Sequence, residues 1–159
     1  LITIKFNEFL NIAKALNDQF NIAPVLYGSL GLQMKSGIDL NPQDIDVLVP
    51  LEYLHERWDV LRQTVERLGY TFVDLREHEF HKEGTKLAFA FVEDLADFAD
   101  VDYKGLELIE QNGVRYQSLS LEDFLRVYSK SIKDGYRRTK NNNKDATKIE
   151  VITKLLQST

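Results

Sequence analysis

Two short apolar runs, each bounded by residues that stop a strand, constrain this chain most. The first is Val25-Leu26-Tyr27, entered through Pro24 and ending in Gly28-Ser29; the second is Asp44-Ile45-Asp46-Val47-Leu48-Val49, closed by Pro50. Proline lacks the N–H that a sheet ladder requires, so both runs are bounded as strands. After Ser29, the segment Leu30 to Lys35 has the pattern of a short helix that Gly37 can close in the left-handed conformation. A strand, a tight turn and a helix N-terminus are thus predicted to meet at Ser29. Side chains alternate along a strand, so Asp44 and Asp46 project from one face while Ile45 and Val47 enter the core. Like charges this close raise each other's proton affinity, a cost that a shared cation removes. Each feature also has an ordinary reading: Gly28-Ser29 serves as turn and cap, and Asp44 closes the Asn41-Pro42-Gln43 turn.

The remaining pattern is mixed. Phe6, Phe9, Leu10, Ala13, Leu16 and Phe20 recur at helical spacing, predicting a helix from residue 5 to about 19, and Leu54, Trp58, Leu61, Val65 and Leu68 predict another from Glu52 to Leu68 that Gly69 ends. Thr71 to Leu75 and Leu87 to Val92 read as strands separated by a polar stretch with Gly84 as its turn; residues 94 to 105 are ambiguous. Asn112-Gly113 between two β-rich runs signals a hairpin. Ser120-Leu121-Glu122-Asp123 resembles a capping box that opens a helical end, with a break at Asn141-Asn142-Asn143 before a last helix from Lys144 to Leu156. Trp58, Phe89 and Phe91 are expected in the core. The fold class is therefore α+β (α/β), a small mixed twisted sheet flanked by helices, with a helical C-terminal tail.

A chain of 159 residues suits one domain, read here as an α/β core over 1–119 and C-terminal helices over 120–159. No apolar run approaches the roughly 18 residues that span a membrane, and there is no basic-then-apolar start of a signal peptide. The absence of cysteine excludes disulfides, thiol catalysis and Cys-ligated metal, and with the other signals points to the cytoplasm. The net charge of −5 is unevenly placed, because residues 126–154 hold nine Lys/Arg against three Asp/Glu. An acidic, metal-collecting region facing a basic, phosphate-collecting one suits phosphoryl chemistry, although a cationic helix face is also commonly just solvated.

The run LYGSLGLQMKSGIDLNPQDIDVLVP from Leu26 to Pro50 resembles the signature of the nucleotidyltransferase (DNA polymerase β-like) superfamily, and the order of elements from residue 24 to 156 is similar to its small minimal and antibiotic-modifying members. NGVRYQSLSLEDFLRVYSKSIKDGYR and Lys144-Asp145 echo the later part of that pattern. The resemblance implies a nucleotidyltransferase fold. It also implies that Gly28 and Ser29 hold the phosphates of an NTP, that Asp44 and Asp46 bind two Mg²⁺ ions, and that a nucleotide is moved to an acceptor hydroxyl with release of pyrophosphate. A third carboxylate is expected on a neighbouring strand, but LAFAFVE has no acid in its middle. Glu93 at its end is ranked first, with Asp102 and Glu79 as alternatives. The step from Ser29 to Asp44 is also longer than the usual pattern.

Arg126, Lys130, Lys133, Arg137, Lys140, Lys144 and Lys148 recur every three or four residues, and Lys130 and Lys133 are taken as the phosphate partners. Nucleic acid is disfavoured as a partner by the overall acidity and the lack of interleaved aromatics. The expected partners are an NTP and an unidentified small-molecule or macromolecular acceptor, with a homodimer left open. His78-Glu79-Phe80-His81 is not a zinc motif, and both histidines are read as surface residues. A phosphoribosylanthranilate isomerase is excluded, since that (β/α)₈ barrel needs about 200 residues or more and eight βα units. The alternatives to an enzyme are a nucleotide-binding or protein-interaction module on the same fold, or a toxin–antitoxin component.

Overall fold

The computed structural model describes residues 3–133 and 144–158. Helix α1 (Ile4–Phe20) starts where Thr3 Oγ1 accepts the Phe6 N–H at 3.0 Å and buries Phe6, Phe9, Leu10, Ile12, Ala13 and Leu16. Strand β1 (Val25–Tyr27) runs directly into helix α2 (Gly28–Ser36), which Gly37 closes with φ +76°, as expected from the glycine. Strand β2 (Asp44–Val49) follows.

The predicted helix from Glu52 to Leu68 is split. A 3-10 turn covers Leu51–Leu54, and helix α3 (Trp58–Arg67) begins only afterwards. The cause is packing: Tyr53 and Leu54 are drawn into the core, and Arg57 folds back over the Tyr53 ring at 4.6 Å and donates to its hydroxyl at 2.7 Å. Strands β3 (Thr71–Asp74), β4 (Glu79–Lys82) and β5 (Thr85–Phe91) form a meander in which β4 replaces the expected polar stretch. Glu-Phe-His-Lys shows no apolar alternation because Phe80 alone faces the core. Helix α4 (Asp94–Ala99) and a 3-10 turn at Tyr103–Gly105 occupy the ambiguous segment.

Strands β6 (Glu107–Gln111) and β7 (Val114–Ser118) are the expected hairpin, with Asn112 and Gly113 both at positive φ, +55° and +78°. Helix α5 (Leu121–Lys133) is capped by Ser120, whose Oγ accepts the Asp123 N–H at 3.1 Å; Asp123 itself pairs with Arg126. Helix α6 (Lys144–Gln157) is last.

The strands form one seven-stranded mixed sheet in the order β3-β4-β5-β2-β1-β7-β6. Strand β2 lies at its centre, antiparallel to β1 and parallel to β5. Ile45, Val47 and Val49 pack into a core with α1 and α3, whereas Leu48 packs into a second core with Val25, Phe124, Val127 and Ile152. Alternation along β2 therefore puts Asp44 and Asp46 on the face that carries α5 and α6. No helix among the described residues is long and apolar enough to cross a membrane.

Candidate active site

The site begins at the β1–α2 junction. Gly28 has φ +65°, a conformation that costs an ordinary L-residue about 1–2 kcal/mol. Space adds a second constraint: a β-carbon on Gly28 would collide with Oδ2 of Asp46. Antiparallel pairing explains the contact, since Tyr27 lies opposite Asp46 and the chain turns into α2 at the next residue. Tyr27, the N-cap of α2, does not cap the helix with its side chain, so the helix presents its first amides and the Ser29 hydroxyl beside a carboxylate pair. Asp44 and Asp46 are half-buried, with Ile45 and Val47 fully buried on the other side of the strand.

These residues open into a cleft of about 660 Å³. The loop Leu40 to Gln43 forms one wall, and Glu77, Ala88 and Ala90 form another. Tyr128 and Ser131 of α5 with Lys144, Asp145, Thr147 and Lys148 of α6 close the third side. A smaller groove of about 360 Å³ between α1 and Tyr70 holds none of the candidate residues.

The helical wall is organised around a buried acid. Asp145 is only 4% exposed, and Ser131 Oγ donates to its Oδ2 at 2.5 Å across the α5–α6 interface. The Lys148 ammonium lies 3.8 Å from Asp145 Oδ1 and 4.8 Å from the centre of the Tyr128 ring. Burial lowers the Lys148 pKa, with Asp145 and Asp46 opposing that shift. Burial likewise pushes the Tyr128 phenol well above its ordinary range, reinforced by Tyr27, Asp145 and Asp46. Asp46 is thus electrostatically coupled to both cleft-facing helices.

The structure brings Gly28, Ser29, Asp44 and Asp46 together and separates the other expected residues from them. Glu93 follows the far, C-terminal end of β5, where its carboxylate accepts the Leu51 N–H at 3.0 and 3.2 Å. Because β2 and β5 are parallel, the aspartates occupy the opposite end, and Glu93 does not line the cleft. Asp102 accepts the Lys104 N–H within its own turn. Glu79 is on the right face, in register with Ala88, which is itself in register with Asp46. Two strand spacings, roughly 9.5 Å, separate it from Asp46. Its carboxylate already holds His81 at 2.6 Å and Lys86 at 3.6 Å.

Lys130 and Lys133 are exposed outside the cleft, because the α5 face that meets the cleft carries Val127, Tyr128 and Ser131. Of the basic stripe, Lys144 and Lys148 line it; Arg137, Lys140 and Asn141 to Asn143 lie outside the described residues. His78, expected at the surface, is half-buried with its ring 4.8 Å from that of Trp58, and burial lowers its pKa.

Glu77, Tyr128, Ser131 and Thr147 were not among the expected site residues. Two sequence signals were available. Asp145, Ile149, Ile152 and Leu156 share one helical stripe, and so do Phe124, Tyr128 and Ser131, which places a polar residue in each apolar face. No comparable signal marks Glu77, which stands in a turn between β3 and β4.

The donor set can be compared with what Mg²⁺ requires. Asp44 and Asp46, two residues or roughly 6.5 Å of backbone apart, supply hard oxygens from the same face of the strand, and among the described residues no group of three or more His, Cys, Asp or Glu is placed to hold a metal ion. This fits an ion held by one or two carboxylates and completed by substrate phosphates and water, and not a closed protein cage.

Fold and site define a mixed α/β protein with a helix start set against two strand carboxylates. No family model matches the chain. It is 50% identical over 153 residues to the uncharacterized protein YnaI of Bacillus subtilis (strain 168), covering 96% of this chain and 98% of that protein. The chain belongs to the family of YnaI. It is also similar, with a TM-score of 0.49 and 16% identity over 96% of this chain and 92% of the other, to the solution structure of the antibiotic-resistance factor ANT(2'')-Ia.

Proposed function

We propose that the cleft binds a nucleoside triphosphate with Mg²⁺ and transfers its nucleotidyl group to a hydroxyl of an unidentified acceptor. The observation that carries this reading is the approach of the Asp46 carboxylate to Gly28, close enough to exclude a β-carbon, which sets an anionic metal ligand against the first amides of α2 in one cleft. The α2 amides and Ser29 donate to the phosphate oxygens, and Lys144 and Lys148 offset their charge from the opposite wall. Asp44 and Asp46 would hold the Mg²⁺, and the position beside Asp46 on β5 is Ala88, so no third strand carboxylate joins them there. Bound there, the metal would offset charge that develops on the phosphates. The acceptor oxygen bonds to the α-phosphorus as the bond to the β-phosphate oxygen breaks, and pyrophosphate leaves. Glu77, which lines the cleft with Ala88 and Ala90, is the carboxylate assigned to take the hydroxyl proton.

Ala88 also supports a second reading, in which the protein binds nucleotide without converting it. Calorimetric titration of each NTP with and without Mg²⁺, repeated on Asp44→Asn/Asp46→Asn, tests the common part. Magnesium-dependent binding that the double substitution abolishes supports both readings, and absence of any NTP binding sinks both. Pyrophosphate release in the presence of candidate acceptors then separates enzyme from binder.

A further inference from the structure

The residues that join α2 to β2 are held by a dense set of side-chain hydrogen bonds. The Ile38 N–H donates to Ser36 Oγ at 3.2 Å, and the Leu40 N–H donates to Oε1 of buried Gln33 at 2.8 Å. The Asn41 N–H donates to Asp39 Oδ1 at 2.8 Å, and Gln43 Nε2 donates to the Asn41 carbonyl at 3.0 Å. Asn41 itself is left-handed, with φ +48°. These are the residues that lengthen the step from Ser29 to Asp44, and the structure spends them on one wall of the cleft, Leu40 to Gln43.

That wall differs chemically from the other two. It carries no charge and consists of two apolar side chains and two carboxamides. The Gln43 carboxamide is committed to the Asn41 carbonyl, whereas the Asn41 carboxamide makes no hydrogen bond among the described residues. The α6 wall is cationic through Lys144 and Lys148, and the β5 wall is acidic through Glu77.

A nucleotide divides in the same way. Its polyanionic tail suits the cationic wall and the α2 start, and the reacting hydroxyl suits the carboxylate wall. A nucleobase is neutral and planar, with donors and acceptors along its edge, so it suits apolar surface combined with a carboxamide.

We propose that residues 40–43 form the nucleobase pocket and that the Asn41 carboxamide selects the base. The proposal rests on the reading that the cleft binds a nucleotide, and deepens it. A carboxamide on a loop already held in place loses little freedom on binding, which lets a single contact discriminate between bases.

The test compares wild type with Asn41→Gly, a substitution that keeps the left-handed backbone and removes only the carboxamide. ATP, GTP, CTP, UTP and inorganic tripolyphosphate, each with Mg²⁺, are titrated into both proteins. Wild type is expected to prefer one base by about tenfold or more, and Asn41→Gly to compress that preference to within about twofold, with tripolyphosphate affinity the same in both. Asn41→Asp, which keeps an acceptor and removes the donor, is expected to reorder the preference. Equal affinity of wild type for the four nucleotides, or a preference that survives in Asn41→Gly, overturns the proposal and leaves nucleotide binding intact. A loss of tripolyphosphate affinity in Asn41→Gly also overturns it, since the loop then acts through the phosphate site. Failure of wild type to bind any nucleotide or tripolyphosphate overturns the reading beneath it.

Discussion

The two sides of the cleft are built by different means. On one side, β1, α2, the 37–43 loop and β2 form a continuous stretch of chain in which neighbouring residues place one another. Gly28 stands against Asp46 because the β1–β2 ladder pairs the preceding residue with it. On the other side, Glu77 comes from a turn, Ala88 and Ala90 from β5, and Tyr128, Ser131, Asp145 and Lys148 from two helices. None of these is near the others in sequence and near the aspartates as well. The first side depends on backbone geometry and is broken by a single β-carbon. The second depends on docking and on buried polar contacts, and it fails by degrees.

The largest effect should come from the contiguous side. Gly28→Ala must hold a left-handed alanine, at about 1–2 kcal/mol, and also displace Asp46. Nucleotide affinity in the presence of Mg²⁺ should fall by more than about thirtyfold by calorimetry, well beyond the accompanying stability loss. On the helical side, Lys148→Met should weaken nucleotide binding by about tenfold through loss of one charge-assisted contact, while Lys130→Met should match wild type. Equal losses in the two variants would mean that the helices contribute a diffuse field and not a wall.

A stability effect ranks next. Ser131→Ala leaves buried Asp145 one hydrogen bond short, and the urea midpoint should report a loss of about 1–3 kcal/mol, with a smaller drop in nucleotide affinity than Lys148→Met gives. The smallest effect concerns the turn that carries Glu77. Burial lowers the His78 pKa, with its hydrogen bond to the Leu54 backbone opposing, so the folded state favours the neutral ring. The associated stability is present above the ordinary value of about 6.5 and is lost as pH falls through the lower folded value. Melting temperature should therefore decline below about pH 6.5, and His78→Asn, which tolerates the left-handed φ of +49°, should flatten that decline.

The same contrast explains what could be read without the structure. The pattern of β1, α2, β2, the β6–β7 hairpin and the start of α5 was legible, since each is marked by a glycine, proline or cap residue with a local steric role, and α1 was legible from its helical spacing. β4 was not, because a four-residue strand with one core-facing side chain has no period to detect. The split before α3 was not, because Tyr53 and Leu54 match a helical spacing that their burial overrides. Among the candidate residues, the convergence of Gly28, Ser29, Asp44 and Asp46 on one cleft was legible, whereas Lys130 and Lys133 were chosen from a stripe whose rotation about α5 the sequence leaves open.

By itself the amino-acid sequence determined the strand–turn–helix and the carboxylate pair, since chirality, the two-residue period of a strand and the special backbone of glycine act over a few neighbouring residues. The tertiary structure alone decided that Glu93 faces away, that Ala88 stands beside Asp46, and that Lys144 and Lys148 share the cleft with them. Those outcomes follow from which strand pairs with which and how two helices rotate onto the sheet, and both depend on the summed packing of distant residues rather than on any local rule.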